Sequence, residues 1–130
     1  MLKKRIGIEG IERDWFWRKT LKDCFKIPTS LTIPNGVERI GKNAFANCKG
    51  LGKVEIPESV EEIRDCSFQG CGYLKKVIIS KSVERIGDYA FYGCPNASVV
   101  IMTSERKFNL GRLALNDCFT VSYVKEETRN

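Results

Sequence analysis

From residue 31 onward the apolar positions of this chain follow a rule that returns every 23 residues. One copy runs Val54-x-Ile56, then Val60-x-x-Ile63, then Phe68-x-x-Cys71, with mostly charged, Ser or Gly residues between. The first pair alternates with period two and is β-branched, which predicts a short strand with Val54 and Ile56 facing inward. Pro57, like Pro34 one copy earlier, ends that strand, because proline has no amide hydrogen to give a ladder. The second pair predicts another brief extended segment. On the third side, Ala44-Phe45-x-x-Cys48 places apolar residues at i, i+1 and i+4, the spacing of a helical or 3₁₀ turn. Gly41 and Gly87 precede that side at matching positions and predict left-handed backbone there.

Written at this step, the chain gives the columns Ile33, Ile56, Ile79; Val37, Val60, Val83; Ile40, Ile63, Ile86; Val54, Val77, Val100; and Phe45, Phe68, Phe91. No single copy can bury its own apolar face, so copies must stack, and a period near 23 predicts a solenoid. The columns resemble the BspA-like leucine-rich repeat family, whose repeat runs approximately L-x-x-V-x-I-P-x-S-V-x-x-I-G-x-x-A-F-x-x-C. Leu51, Val54, Ile56, Pro57, Ser59, Val60, Ile63, Phe68 and Cys71 fall on that pattern, and the match covers residues 31–102. Arg64 and Ser67 stand where the pattern has Gly and Ala; Ser80 and Thr103 stand where it has Pro. The resemblance implies an elongated, curved solenoid, commonly part of bacterial or protozoan surface proteins with adhesive roles, and it implies no catalytic residues.

The expected fold is a mixed β-rich solenoid, leucine-rich-repeat-like, of about five coils of 23 to 24 residues with short strands and helical or 3₁₀ turns. Residues 1–30 form an N-terminal arm and capping segment, residues 31–103 the repeats, and residues 104–130 a degenerate repeat with a polar tail. In the arm, Trp17, Leu21 and Cys24 share one helical face, suited to covering the first coil. Trp15, Phe16 and Trp17 beside Arg13, Arg18 and Lys19 also suit a membrane-surface helix. At the back, Leu110, Gly111, Ala114, Leu115 and Cys118 spell a decayed copy displaced by one residue, with Val121 to Val124 supplying the last rung.

At 130 residues, 42% apolar and 29% charged, the chain is one folded domain without an apolar run long enough to span a bilayer. The net charge of +6 raises the question of nucleic acid. Residues 1–30 hold eight Lys or Arg against four Asp or Glu, whereas residues 31–103 hold nine against eight. The repeats therefore carry no basic stripe, and polyanion or membrane-surface binding rests on the arm alone. No apolar stretch follows the basic start, so no secretory signal is read and a cytoplasmic location is expected, or a cell-surface or secreted one if a signal was removed.

Six cysteines would suggest a disulfide framework in a small secreted protein, but Cys48, Cys71 and Cys94 share one column beside Phe. Cys24 and Cys118 join it if each outer step is 24 residues. They read as stacked, buried, free thiols. Cys66 lies outside the column, where other copies carry Asn43 and Tyr89, and is expected to be the most exposed thiol. With no histidine and no Cys-x-x-Cys pair, neither a zinc site nor general-base chemistry is indicated. Glu38, Glu61 and Glu84 form one column, which reads as a solvated charged edge beside Arg39 and Arg85. No catalytic residue, metal site or cofactor is expected.

The surface that looks used is the outward face of the main strands. With the 23-residue step its columns are Ser30, Lys53, Lys76, Val99 and Thr32, Glu55, Ile78, Ile101. They turn from polar to apolar along the stack, so Ile78, Val99 and Ile101, rimmed by Lys53, Glu55 and Lys76, form the candidate binding patch. A C-terminal tail folded over the same residues is the alternative. The expected function is a non-enzymatic protein–protein interaction module, a leucine-rich repeat scaffold for binding or adhesion. Self-association into a structural piece is the runner-up.

Overall fold

The computed structural model describes residues 29–33, 35–103 and 109–125. The expected capping arm, Cys24, Pro34 and the tail beyond Lys125 lie outside the described residues. The chain winds as a parallel β-solenoid of about four turns, with repeats about 23 residues apart. Strands β1 (Ser30–Thr32), β3 (Lys53–Ile56), β5 (Lys76–Ile79), β7 (Ser98–Thr103) and β9 (Thr120–Lys125) line up in that order as a five-stranded parallel sheet. The shorter β2 (Arg39–Ile40), β4 (Glu62–Ile63), β6 (Arg85–Ile86) and β8 (Asn109–Leu110) make a four-stranded parallel sheet on a second side.

The predicted columns are the core. Ile33, Ile56 and Ile79, then Ile40, Ile63 and Ile86, then Val37, Val60 and Val83 are buried and stacked coil on coil. Phe68 stacks on Phe45 with centroids 5.2 Å apart and on Phe91 at 5.0 Å, the rings within 11° and 2° of parallel. Leu115 continues that column, also buried.

One column differs from expectation. From β3 to β5 the register advances by 23 residues, Val54 to Val77, but from β5 to β7 it advances by 22, Val77 to Val99. The cause lies just before each strand. In the second and third copies two consecutive amides converge on one carbonyl, Gly52 and Lys53 on Thr29 O and Lys75 and Lys76 on Gly52 O. In the fourth copy only Ser98 N reaches Lys75 O, at 2.8 Å, so the extra residue of that bulge is missing. A slip of one residue exchanges the faces of a strand. Val99 and Ile101 consequently join the core, at 0% and 3% exposure, and Val100 turns outward. The second sheet lengthens its own step to 24 between Ile86 and Leu110, as the sequence indicated for the last copy.

The third side is a chain of tight turns rather than a helix; no described residue is helical. Ala44 N bonds Gly41 O at 3.2 Å, Ala46 N bonds Asn43 O and Cys48 N bonds Phe45 O, both at 3.3 Å, but the alternate amides turn to the next coil, Phe45 N to Ser67 O and Asn47 N to Gln69 O, both at 2.7 Å. Left-handed residues break any helical run: Asn43 (φ 58°) and Asn47 (φ 62°) in one copy, Cys66 and Gly70 in the next, Tyr89 and Gly93 in the third. Positive φ thus falls two residues after Gly41 and Gly87, not on them. Gly87 is required for closeness instead, because a Cβ there would lie 2.6 Å from Asp65 N and 2.8 Å from the Arg64 carbonyl carbon.

Polar side chains bridge the coils where backbone pairing pauses. Ser59 donates to Val37 O and Ser82 to Val60 O, at 2.8 and 2.7 Å. Asp65 Oδ1 accepts from the Asp88 amide at 2.9 Å, and Asp88 Oδ1 from the Arg112 amide at 2.8 Å. Ser67, buried in the alanine column, donates to Gly41 O at 3.1 Å and lies within bonding reach of Arg64 O.

Candidate interaction surface

The five-stranded sheet turns alternate residues outward, and the register places them side by side. One outward column is Ser30, Lys53, Lys76, Ser98 and Thr120; the next is Thr32, Glu55, Ile78, Val100 and Ser122. A third, present only on the longer strands, pairs Met102 with Val124. At the front Lys53 Nζ sits 3.4 Å from Glu55 Oε2, and Thr32 Oγ1 donates to Glu55 Oε1 at 3.4 Å, so this end is a small polar network. Exposed charge pairs of that kind hold a surface in shape more than they stabilise a fold. Beyond it lie Lys76, exposed, then Ile78, Val100 and Met102, each half-buried, and Val124, exposed.

Of the residues expected to bind, Lys53, Glu55, Lys76 and Ile78 are on this outward face. Val99 and Ile101 are not: they face the core, and their places are taken by Ser98 and Val100. Val100 and Met102 escaped the sequence reading because residues 99–102 are uniformly apolar, and without alternation nothing in the strand itself says which side faces in. The signal available was the count from Cys94 to the strand, one residue shorter than from Cys71.

The described thiols are buried or half-buried. Cys48, Cys66, Cys71, Cys94 and Cys118 are all unbridged. Cys71 Sγ donates to Phe45 O at 3.1 Å and Cys94 Sγ to Phe68 O at 3.2 Å, each thiol capping a carbonyl of the preceding coil. The hydrogen bond with Cys71, and then burial, hold the Cys94 thiol protonated well above its ordinary range. Burial, followed by Cys94 and Asp117, pushes Cys118 up to about 12. Cys66, half-buried, is raised by its partial burial and by Asp65. A thiol kept neutral is a poor nucleophile. Glu38, Glu61 and Glu84 are exposed along one edge, with Arg39 Nη1 3.8 Å from Glu38, and Arg85 Nε and Arg64 Nε 3.9 and 3.5 Å from Glu62. Among the described residues no group of three or more His, Cys, Asp or Glu is arranged to hold a metal ion.

The repeat sequence has a match among known families: the BspA type leucine rich repeat region, in six copies, fits residues 17–128. The chain belongs to the BspA-type leucine-rich repeat family. The family match reaches further at both ends than the residues 31–102 on which the resemblance rested, and it takes in the decayed copy that forms β8 and β9. BspA-type and other leucine-rich repeat solenoids are typically non-catalytic scaffolds, commonly used in protein interaction or adhesion. No curated protein and no solved structure matches the chain. Among the described residues no helix is long and apolar enough to cross a membrane.

Proposed function

We propose that this chain is a non-enzymatic protein-interaction module and that its partner docks on the outward face of the five-stranded sheet. The observation that carries the reading is the change in one outward column from Thr32 and Glu55 to Ile78 and Val100, continued beside it by Met102 and Val124. These side chains do no work inside the coil, and a cluster of them on a soluble surface marks a contact site. Lys53, Glu55 and Lys76 form the polar rim, which orients a partner rather than supplying the affinity.

Burying the four apolar side chains contributes several kcal/mol at about 25 cal/mol per Å², before association costs are subtracted. The reading is tested by affinity capture from cells of the source organism, with the wild type and Ile78→Asp as parallel baits, followed by titration of the captured protein against both. Binding is expected to fall at least tenfold in Ile78→Asp while the circular dichroism spectrum is unchanged. A captured protein that binds both equally refutes the site. Binding that weakens steeply with salt while ignoring Ile78→Asp refutes it too, in favour of a polyanion.

A further inference from the structure

The last coil is built like an inner coil but is not covered like one. Leu110 continues the column of Ile40, Ile63 and Ile86, which are at 0% exposure, yet it is 46% exposed. Tyr123 continues the column of Ile56, Ile79 and Ile101 and is 55% exposed. Phe119, one residue before β9, is 72% exposed, and Leu113 and Val124 are exposed as well. Among the described residues β9 has a neighbouring strand on one side only. A six-residue strand of this kind, with its core columns open at the side, is a template for another strand.

From these observations we infer that β9 pairs antiparallel with β9 of a second copy of this chain, closing a two-fold dimer in which the two five-stranded sheets become one. The occupant must bring apolar side chains at alternate positions. Glu126, Glu127, Thr128, Arg129 and Asn130, which follow β9, have none. The strand itself has them. With the two-fold axis through Ser122, Val121 of one copy stands opposite Tyr123 of the other, twice, so a small side chain meets a large one and core face meets core face.

Charge permits the contact. Residues 109–125 carry Arg112 and Lys125 against Asp117, net +1 of the chain's +6, so two copies meet at their least charged end. The area suffices too. With roughly 200 Å² for each aromatic, Leu110, Leu113, Phe119 and Tyr123 offer about 400 Å² per copy. With the β9 backbone included, two copies reach the roughly 1,000 Å² that a specific interface needs.

The register makes a charge-specific test, since it sets Phe119 opposite Lys125 of the second copy. Sedimentation velocity across a concentration series is expected to show a monomer–dimer equilibrium for the full chain. Phe119→Lys, at an exposed position that leaves the fold intact, should weaken it at least tenfold by removing the apolar ring and setting like charges face to face, and Phe119→Glu, which sets opposite charges face to face, should weaken it less. Ser122→Cys should cross-link to its own counterpart under mild oxidation, the pair lying about 5 Å apart at Cα, while the wild type under the same treatment does not. A wild type that stays monomeric overturns the inference: slow amide exchange along β9 then assigns the edge to the chain's own residues, and rapid exchange leaves it to another protein. A dimer indifferent to Phe119→Lys, or one in which Ser122→Cys fails to cross-link, overturns it equally.

Discussion

Removing the middle ring of the phenylalanine stack tests the claim that stacking of whole coils holds this fold together. Phe68 is fully buried and lies between Phe45 and Phe91, so Phe68→Ala deletes a ring from the middle of the core. Lost transfer energy and the residual cavity cost about 3 to 5 kcal/mol at such sites. Two stacked neighbours, each pair contributing about 0.5 to 1.5 kcal/mol beyond its area, place the expectation at the upper end. Collapse of the cavity is unfavourable here, because the coil spacing is fixed by hydrogen bonds on every side, including Phe68 N to Ala90 O at 2.8 Å. A loss of that size is a large part of the roughly 5 to 15 kcal/mol that stabilises a domain. Phe68→Leu keeps an apolar side chain and loses the stacking, so it should cost only about 1 to 2 kcal/mol. Urea unfolding followed by far-ultraviolet circular dichroism measures both, with equal slopes required for the comparison. If Phe68→Ala costs under 2 kcal/mol, or no more than Phe68→Leu, the stack is a by-product of the repeat and not a source of its stability.

Alkylation in denaturant without reductant should add six groups to the intact mass, and fewer than four would show that the thiol column forms disulfides. The raised pKa of Cys118 in the fold also gives a pH signature: its stabilising effect is complete below the ordinary thiol value of 9.0 and is lost as pH climbs toward about 12, so the extra destabilisation in that window should shrink in Cys118→Ala. Gly87→Ala should cost about 1 to 3 kcal/mol by pushing a methyl group against the Asp65 backbone, and an unchanged urea midpoint would show that the coils part easily there. Arg64 occupies the glycine column without a left-handed φ, so Arg64→Gly should destabilise by about 1 kcal/mol through added chain entropy and loss of the Glu62 contact; a stabilised variant would contradict that backbone assignment.

The repeat, the inward columns of the two sheets apart from Val100, the phenylalanine stack and the thiol column could be read from the chain, because each is a periodic burial pattern and burial is what side-chain chemistry reports most directly. Ile33, Ile56 and Ile79 needed only their spacing to be placed. The outward face was legible as far as Ile78, where the step stayed at 23 and carried the facing over from Glu55. Past that point the face depended on a single bulge residue before β7, absent in one copy, and a continuous run of apolar residues could not signal the change. The left-handed turns hid for a different reason. Asn43, Cys66 and Tyr89 are chemically unlike one another, and their shared φ is imposed by hydrogen bonds to the neighbouring coil rather than by their side chains. The same holds at the open end. Leu110 and Tyr123 look like core residues in the sequence, and only the stacking order, which leaves β8 and β9 last among the described strands, decides that they are exposed.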